Sequence, residues 1–83
     1  MNPIARSPGQ IGGLIQRFRK QKGLSQTELA QLSGIRQEMI SKIETGHESA
    51  KIAAICALMA ALDLELTLGP RSTRSAADLA DLF

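Results

Sequence analysis

Between Arg36 and Lys42 the chain reads RQEMISK, and its polar heads are a guanidinium (Arg36), an amide (Gln37), a carboxylate (Glu38), a hydroxyl (Ser41) and an ammonium (Lys42). On a helix, residues three and four apart are neighbours, so Gln37, Glu38, Ser41 and Lys42 share one outward face. Ile40 and Ile43 point the other way, with Met39 at the margin. Such a row is not built to break bonds. The chain holds no paired carboxylates, no His/Cys cluster and no glycine-rich phosphate loop, so no enzyme activity, metal or other cofactor, or small-molecule ligand is expected. What the row can do is hydrogen-bond to a patterned surface. Gln37 can pair bidentately with adenine, Arg36 or Lys42 can engage O6 and N7 of guanine, and Glu38 can accept from N4 of cytosine. An ordinary solvated helix face carries the same residue types, so position alone leaves both readings open.

The elements that must hold this row are legible around it. Ser7-Pro8-Gly9-Gln10 is a helix start, with Ser as cap and Pro at the first helical position. Ile11, Leu14, Ile15 and Phe18 follow at helical spacing, and Gly23 closes the helix. Gly12 and Gly13 weaken it by about 1 kcal/mol each relative to Ala; close packing against a neighbour is one reason for them. Ser25-Gln26-Thr27-Glu28 is a capping box, stapled by Leu24 and Leu29. In the helix it opens, Leu29, Ala30 and Leu32 are expected to face inward, and Ser33-Gly34 stops it. The third helix runs from about Arg36 to Thr45, with Ile35 plugging the corner and Gly46 closing the end. A fourth, roughly Ala50–Leu62, is apolar nearly all round, so part of it should pack on another subunit. Cys56 within it reads as a small core residue.

Leu64-Glu65-Leu66-Thr67-Leu68 alternates like a half-buried strand, and the chain offers no other strand to pair with it. A lone strand is not stable. Pairing with the same segment of a second copy satisfies it, and a plain extended linker is the alternative. The expected architecture is therefore all-α: four or five helices with one short C-terminal β-strand paired across a homodimer. Residues 1–6 form a flexible arm, 7–69 the folded domain and 70–83 a flexible tail. In that tail Ser75 can cap a short turn in which Leu79, Leu82 and Phe83 share a face.

Composition narrows the class. With 83 residues there is room for one small domain. Two Phe, no Trp and no Tyr argue against a single-strand binder that stacks bases on aromatic rings. One cysteine excludes an internal disulfide. No secretory leader or membrane-spanning run is visible, so a cytoplasmic protein without a membrane partner is expected. Net charge is only +2, yet every charge before Glu28 is positive: Arg6, Arg17, Arg19, Lys20 and Lys22. That asymmetry suits a phosphate-facing surface or a solvated basic face, and charge alone does not separate them. His47, in the loop after Gly46, reads as a solvent-exposed residue.

Two helices joined by a three- or four-residue turn containing Gly form a helix-turn-helix, whose first helix crosses the DNA backbone while the second enters the major groove. The capping box, the staple, Ala30, Gly34, Ile40, Ile43, Glu44 and Gly46 together resemble the phage-repressor-like (XRE/Cro) DNA-binding family over residues 7–68. Within it, SPGQI at 7–11, GLSQTELAQLSGIRQ at 23–37, IS at 40–41 and LDLELTL at 62–68 are similar to the HipB-like antitoxins of type II toxin–antitoxin systems.

The resemblance implies a dimer joined by its C-terminal strand (Leu64, Glu65, Leu66, Thr67, Leu68). It also implies binding to a palindromic double-stranded DNA operator, autoregulation, and a cognate HipA-like kinase toxin. It places Gln37, Glu38 and Lys42 at base edges, with Arg36 at the start of the same helix and Ser41 beside them; Glu38 can instead favour the helix N-terminus through its dipole. Gln26 and Thr27, at the start of the preceding helix, fall beside phosphates, as can Ser25, which is also a cap. Lys51 brings a cation to the start of the fourth helix, where relatives carry a Ser or Thr cap. Arg17 and Lys20 are further phosphate candidates, and Arg19 with Glu44 matches a buried ion pair. Leu79, Leu82 and Phe83 are candidates to touch the toxin. A stand-alone phage-type repressor, or a protein-interaction module on the same fold, remains the alternative.

Overall fold

The computed structural model of the chain describes residues 3–71. Ser75, Leu79, Leu82 and Phe83 lie outside the described residues. Four helices follow one another: α1 (Pro8–Gln21), α2 (Gln26–Ser33), α3 (Gln37–Glu44) and α4 (Ile52–Ala61). None is long and apolar enough to cross a membrane.

Each boundary has a local cause. The Ser7 hydroxyl accepts from the Gln10 amide at 3.1 Å, while the Gln10 side chain accepts from the Arg6 amide at 2.5 Å. At α2 the capping box is closed on both sides: Ser25 Oγ accepts from the Glu28 amide at 3.0 Å, and Glu28 Oε1 accepts from the Ser25 amide at 2.8 Å. A cap of this kind is worth about 1 kcal/mol. Gly34 ends α2 at φ 78°, in the left-handed region that a Cβ disfavours, and returns its amide to the Ala30 carbonyl at 2.9 Å.

The core is a single cluster of Ile15, Leu29, Ile40, Ile43, Leu58 and Leu62, flanked by Ile11, Phe18, Ala30, Ile35 and Met39 among others. α1 lies hard against α3. A Cβ built on Gly12 would stand 1.8 Å from the Ile43 carbonyl oxygen, so only glycine permits this approach. Gly13 has open space around it, and nothing in the structure explains it.

Two core expectations are corrected. Leu32 is 61% exposed. The covered stripe of α2 runs through Gln26, Leu29, Ala30 and Ser33, and at about 100° per residue Leu32 points roughly 110° away from its centre. Both α3 and α4 pack on that stripe, which leaves the Leu32 side uncovered. Cys56 is exposed as well. α4 buries Leu58, and Cys56 sits about 160° round the helix from it. Ile52, Ala53 and Ala60 share that exposed back face.

Among the described residues there is no strand within the single chain. After α4 the backbone turns at Asp63, which takes a left-handed φ of 61°, and Leu64 donates to the Met59 carbonyl at 2.8 Å. Beyond it Leu66 and Leu68 are 55% and 92% exposed.

Candidate nucleic-acid interface

α2 and α3 meet across the turn at Gly34, and the start of α2 stands beside the start of α3. Between them is an open groove of about 410 Å³ lined by Gln26, Gln37, Glu38, Ser41 and Lys42. Five residues from two helices thus come to one surface. Gln37, Glu38, Ser41 and Lys42 are exposed and Gln26 is half-buried. The Thr27 hydroxyl stands 3.5 Å from Gln37 Oε1, and Gln37 Nε2 stands 3.5 Å from Gln26 Oε1, both at the long end of hydrogen bonding. Arg36 occupies the cap position of α3 without capping it, which leaves its guanidinium in solvent. Lys51 does the same at α4.

Arg17 and Lys20 are exposed too, but they do not join this surface. Gly12 and Arg19 mark the side of α1 that meets α3. Round the helix, Lys20 lies about 90° and Arg17 about 150° from that side.

Behind the groove Arg19 and Glu44 form a two-pronged ion pair: Nε to Oε2 at 2.7 Å and Nη2 to Oε1 at 2.9 Å. Their side chains are 9% and 1% exposed. Arg19 Nη1 also donates to the Leu24 carbonyl at 2.8 Å, which ties the α1–α2 loop to the pair. Gln26 Nε2 donates to Glu44 Oε1 at 3.1 Å. This last contact was not legible in the sequence, because Gln26 and Glu44 are brought together only by the fold.

Hydrogen bonding to Glu44 raises the Arg19 guanidinium above its ordinary value. Burial by itself pushes the Glu44 carboxyl up, but the hydrogen bonds from Arg19 and Gln26, with the charge of Arg19, outweigh it and hold Glu44 below the usual carboxylate range. A depressed carboxylate stabilises the fold above its unfolded value and loses that contribution as pH falls through the folded one. Thermal melts should therefore hold steady from pH 7 down to about 5 and fall below the unfolded value of about 4.3. A melting temperature unchanged between pH 6 and pH 3 would contradict this.

A capped helix, a glycine turn and a second helix whose polar face stands free in solvent are the parts of a DNA-binding helix-turn-helix domain. The helix-turn-helix family model matches residues 15–68, and the chain belongs to that family, in its phage-repressor-like (XRE) branch. It is 36% identical over 58 residues to an uncharacterised HTH-type transcriptional regulator of Haemophilus influenzae, covering 70% of this chain and 59% of the regulator. It is 32% identical over 62 residues to the antitoxin HipB of Escherichia coli K12, covering 75% of this chain and 70% of HipB. Among solved structures, one described as a HipA-HipB-O2-O3 complex superposes with a TM-score of 0.79 at 28% identity, covering 86% of this chain and all of the matched one. The chain spans between 59% and two thirds of the length of the first curated relatives it matches. The relatives it matches are named as transcriptional regulators and as HipB antitoxins.

Proposed function

We propose that the chain is a dimeric repressor that binds a two-fold operator and serves as the antitoxin of a HipA-like kinase toxin, repressing its own operon. The observation that carries the DNA reading is the open groove at the start of α2 and α3, where amide, carboxylate, hydroxyl and ammonium groups from two helices converge on one exposed surface. Gln37, Ser41 and Lys42 read base edges, with Arg36 at the head of the same helix. Ser25, Gln26, Thr27 and Lys51 hold phosphates. Glu38 is better placed to favour the positive end of α3 than to approach a phosphate. Arg17 and Lys20 contribute only through the general field.

Dimerisation is supported by the apolar surface that a single chain leaves exposed: the back of α4 at Ile52, Ala53 and Cys56, and Leu66 and Leu68 beyond it. Residues 64–68 pair with their copy, which fixes the spacing of the two α3 helices. The toxin assignment rests on similarity to HipB, one of whose structures is described as a complex with HipA. Leu79, Leu82 and Phe83 are its proposed contact.

Neutralised phosphates release counterions, so affinity for the DNA upstream of the gene should fall by on the order of a thousandfold between 50 and 200 mM salt. Affinity that ignores salt would contradict DNA binding and favour a protein-interaction module. Co-purification with a kinase-like protein encoded by a neighbouring gene, lost on deleting residues 72–83, tests the toxin assignment. A complex that survives the deletion intact removes the tail from it.

A further inference from the structure

The outer side of α1 carries charge that the proposed DNA interface does not use. Arg17 and Lys20, one turn apart, are exposed there. No acidic residue precedes Glu28 in the chain. Among the described residues the one ion pair belongs to Arg19 and Glu44, so neither Arg17 nor Lys20 has an acidic partner there. Beside them on the same helix run Leu14 and Phe18, each covered only in part. α1 thus presents a basic stripe next to an apolar one. Residues 75–83 carry the complementary pattern. After Ser75, helical spacing sets Asp78 and Asp81 one turn apart, next to Leu79, Leu82 and Phe83. At about 100° per residue, the basic and apolar stripes of α1 are centred about 110° apart, and the acidic and apolar stripes of 75–83 about 120° apart in the same rotational order. Two helices striped in the same order match on both stripes only when they run antiparallel. Lys20 then meets Asp78 and Arg17 meets Asp81, while Phe18 and Leu14 meet Leu79 and Phe83. A parallel arrangement sets the acids on Leu14 and Phe18. The seven residues from Arg71 to Asp78 span up to about 25 Å when extended, close to the width of a folded domain of this size, roughly 30 Å. The segment can therefore reach this side of its own chain.

We propose that residues 75–83 dock as a short antiparallel helix on the outer side of α1 of their own chain, Asp78 and Asp81 against Lys20 and Arg17. So short a helix does not persist alone in water, so it forms on contact. Leu79, Leu82 and Phe83 are also the proposed toxin contact. The docked segment is therefore the state of the chain without toxin, and the docking does not require that contact.

The test treats the full chain, free of DNA and toxin, with a carbodiimide, which joins a carboxylate to an amine it touches. Linked peptides are read by mass spectrometry. A link between Lys20 and Asp78 should dominate in product of monomer mass, over links from the same acids to Lys42 in the groove or Lys51 at the start of α4. Arg17→Glu sets a like charge against Asp81 and should cut the yield of that link about threefold or more. Asp81→Arg added to Arg17→Glu reverses the pair and should restore the yield. Links spread evenly over the exposed lysines would overturn the docking. A charge swap that fails to restore the yield would overturn the antiparallel match. A Lys20–Asp78 link found only in product of dimer mass would overturn the placement within one chain.

Discussion

Replacing Arg19 with Met is expected to lower the unfolding free energy by about 3–5 kcal/mol. The substitution keeps an unbranched stem in the α1–α3 interface and removes only the charge and its donors. Glu44 then remains as an anion whose side chain is 1% exposed, having lost both prongs of the pair. Gln26 alone cannot replace them. The Leu24 carbonyl loses a donor at the same time, so the α1–α2 loop loosens. Small domains have total stabilities of about 5–15 kcal/mol, so this loss is a large share of the whole. Urea denaturation should show a lower midpoint with an unchanged slope. The double variant Arg19→Met, Glu44→Leu should recover most of the loss, because it leaves no buried charge behind. A single variant as stable as the parent would show that the pair is not desolvated.

Gly12→Ala should cost about 2 kcal/mol or more, although Ala is the better helix former by about 1 kcal/mol. The added methyl would stand 1.8 Å from the Ile43 carbonyl oxygen and 2.9 Å from its carbon. Both belong to the backbone of α3, so no side chain can swing aside. The helices must separate, and the Arg19–Glu44 pair beside them is stretched. Gly13→Ala is the built-in control. Its Cβ would meet nothing within 4 Å, so the helix propensity gain should appear alone. Thermal melts of the two variants should move in opposite directions. Equal shifts would mean that the close approach does not constrain the fold.

These two residues also show what a sequence can and cannot disclose. The capping box at Ser25 and Glu28 was legible because its partners are three residues apart and its chemistry is local. The polar face of α3 was legible because helical spacing alone sorts Gln37, Glu38, Ser41 and Lys42 from Ile40 and Ile43. Gly12 and Gly13 together hinted at close packing, but not at which of the two needs it or against what. The neighbour of Gly12 is a carbonyl on another helix, and Gly13 beside it looks identical in sequence. Leu32 and Cys56 were misplaced for a related reason. Apolar residues on short helices are assigned a side only once the partners are known, and α3 and α4 both chose the Leu29–Ala30 side of α2. Gln26 was legible as a surface residue at a helix start. Its link to Glu44 spans 18 positions and exists only after α2 folds across α3. Arg17 and Lys20 were grouped with the interface by charge alone, and the fold sets them on other sides of α1 than the one that meets α3.

Hydroxyl-radical footprinting of the full chain on the DNA upstream of its own gene addresses the core of this account, that two copies present their α3 helices to one side of a duplex. Two protected segments are predicted, centred about 34 Å apart on the same face and related by a two-fold axis, appearing together as protein is added. A single protected half-site at saturation, or uniform protection without a two-fold relation, would contradict it.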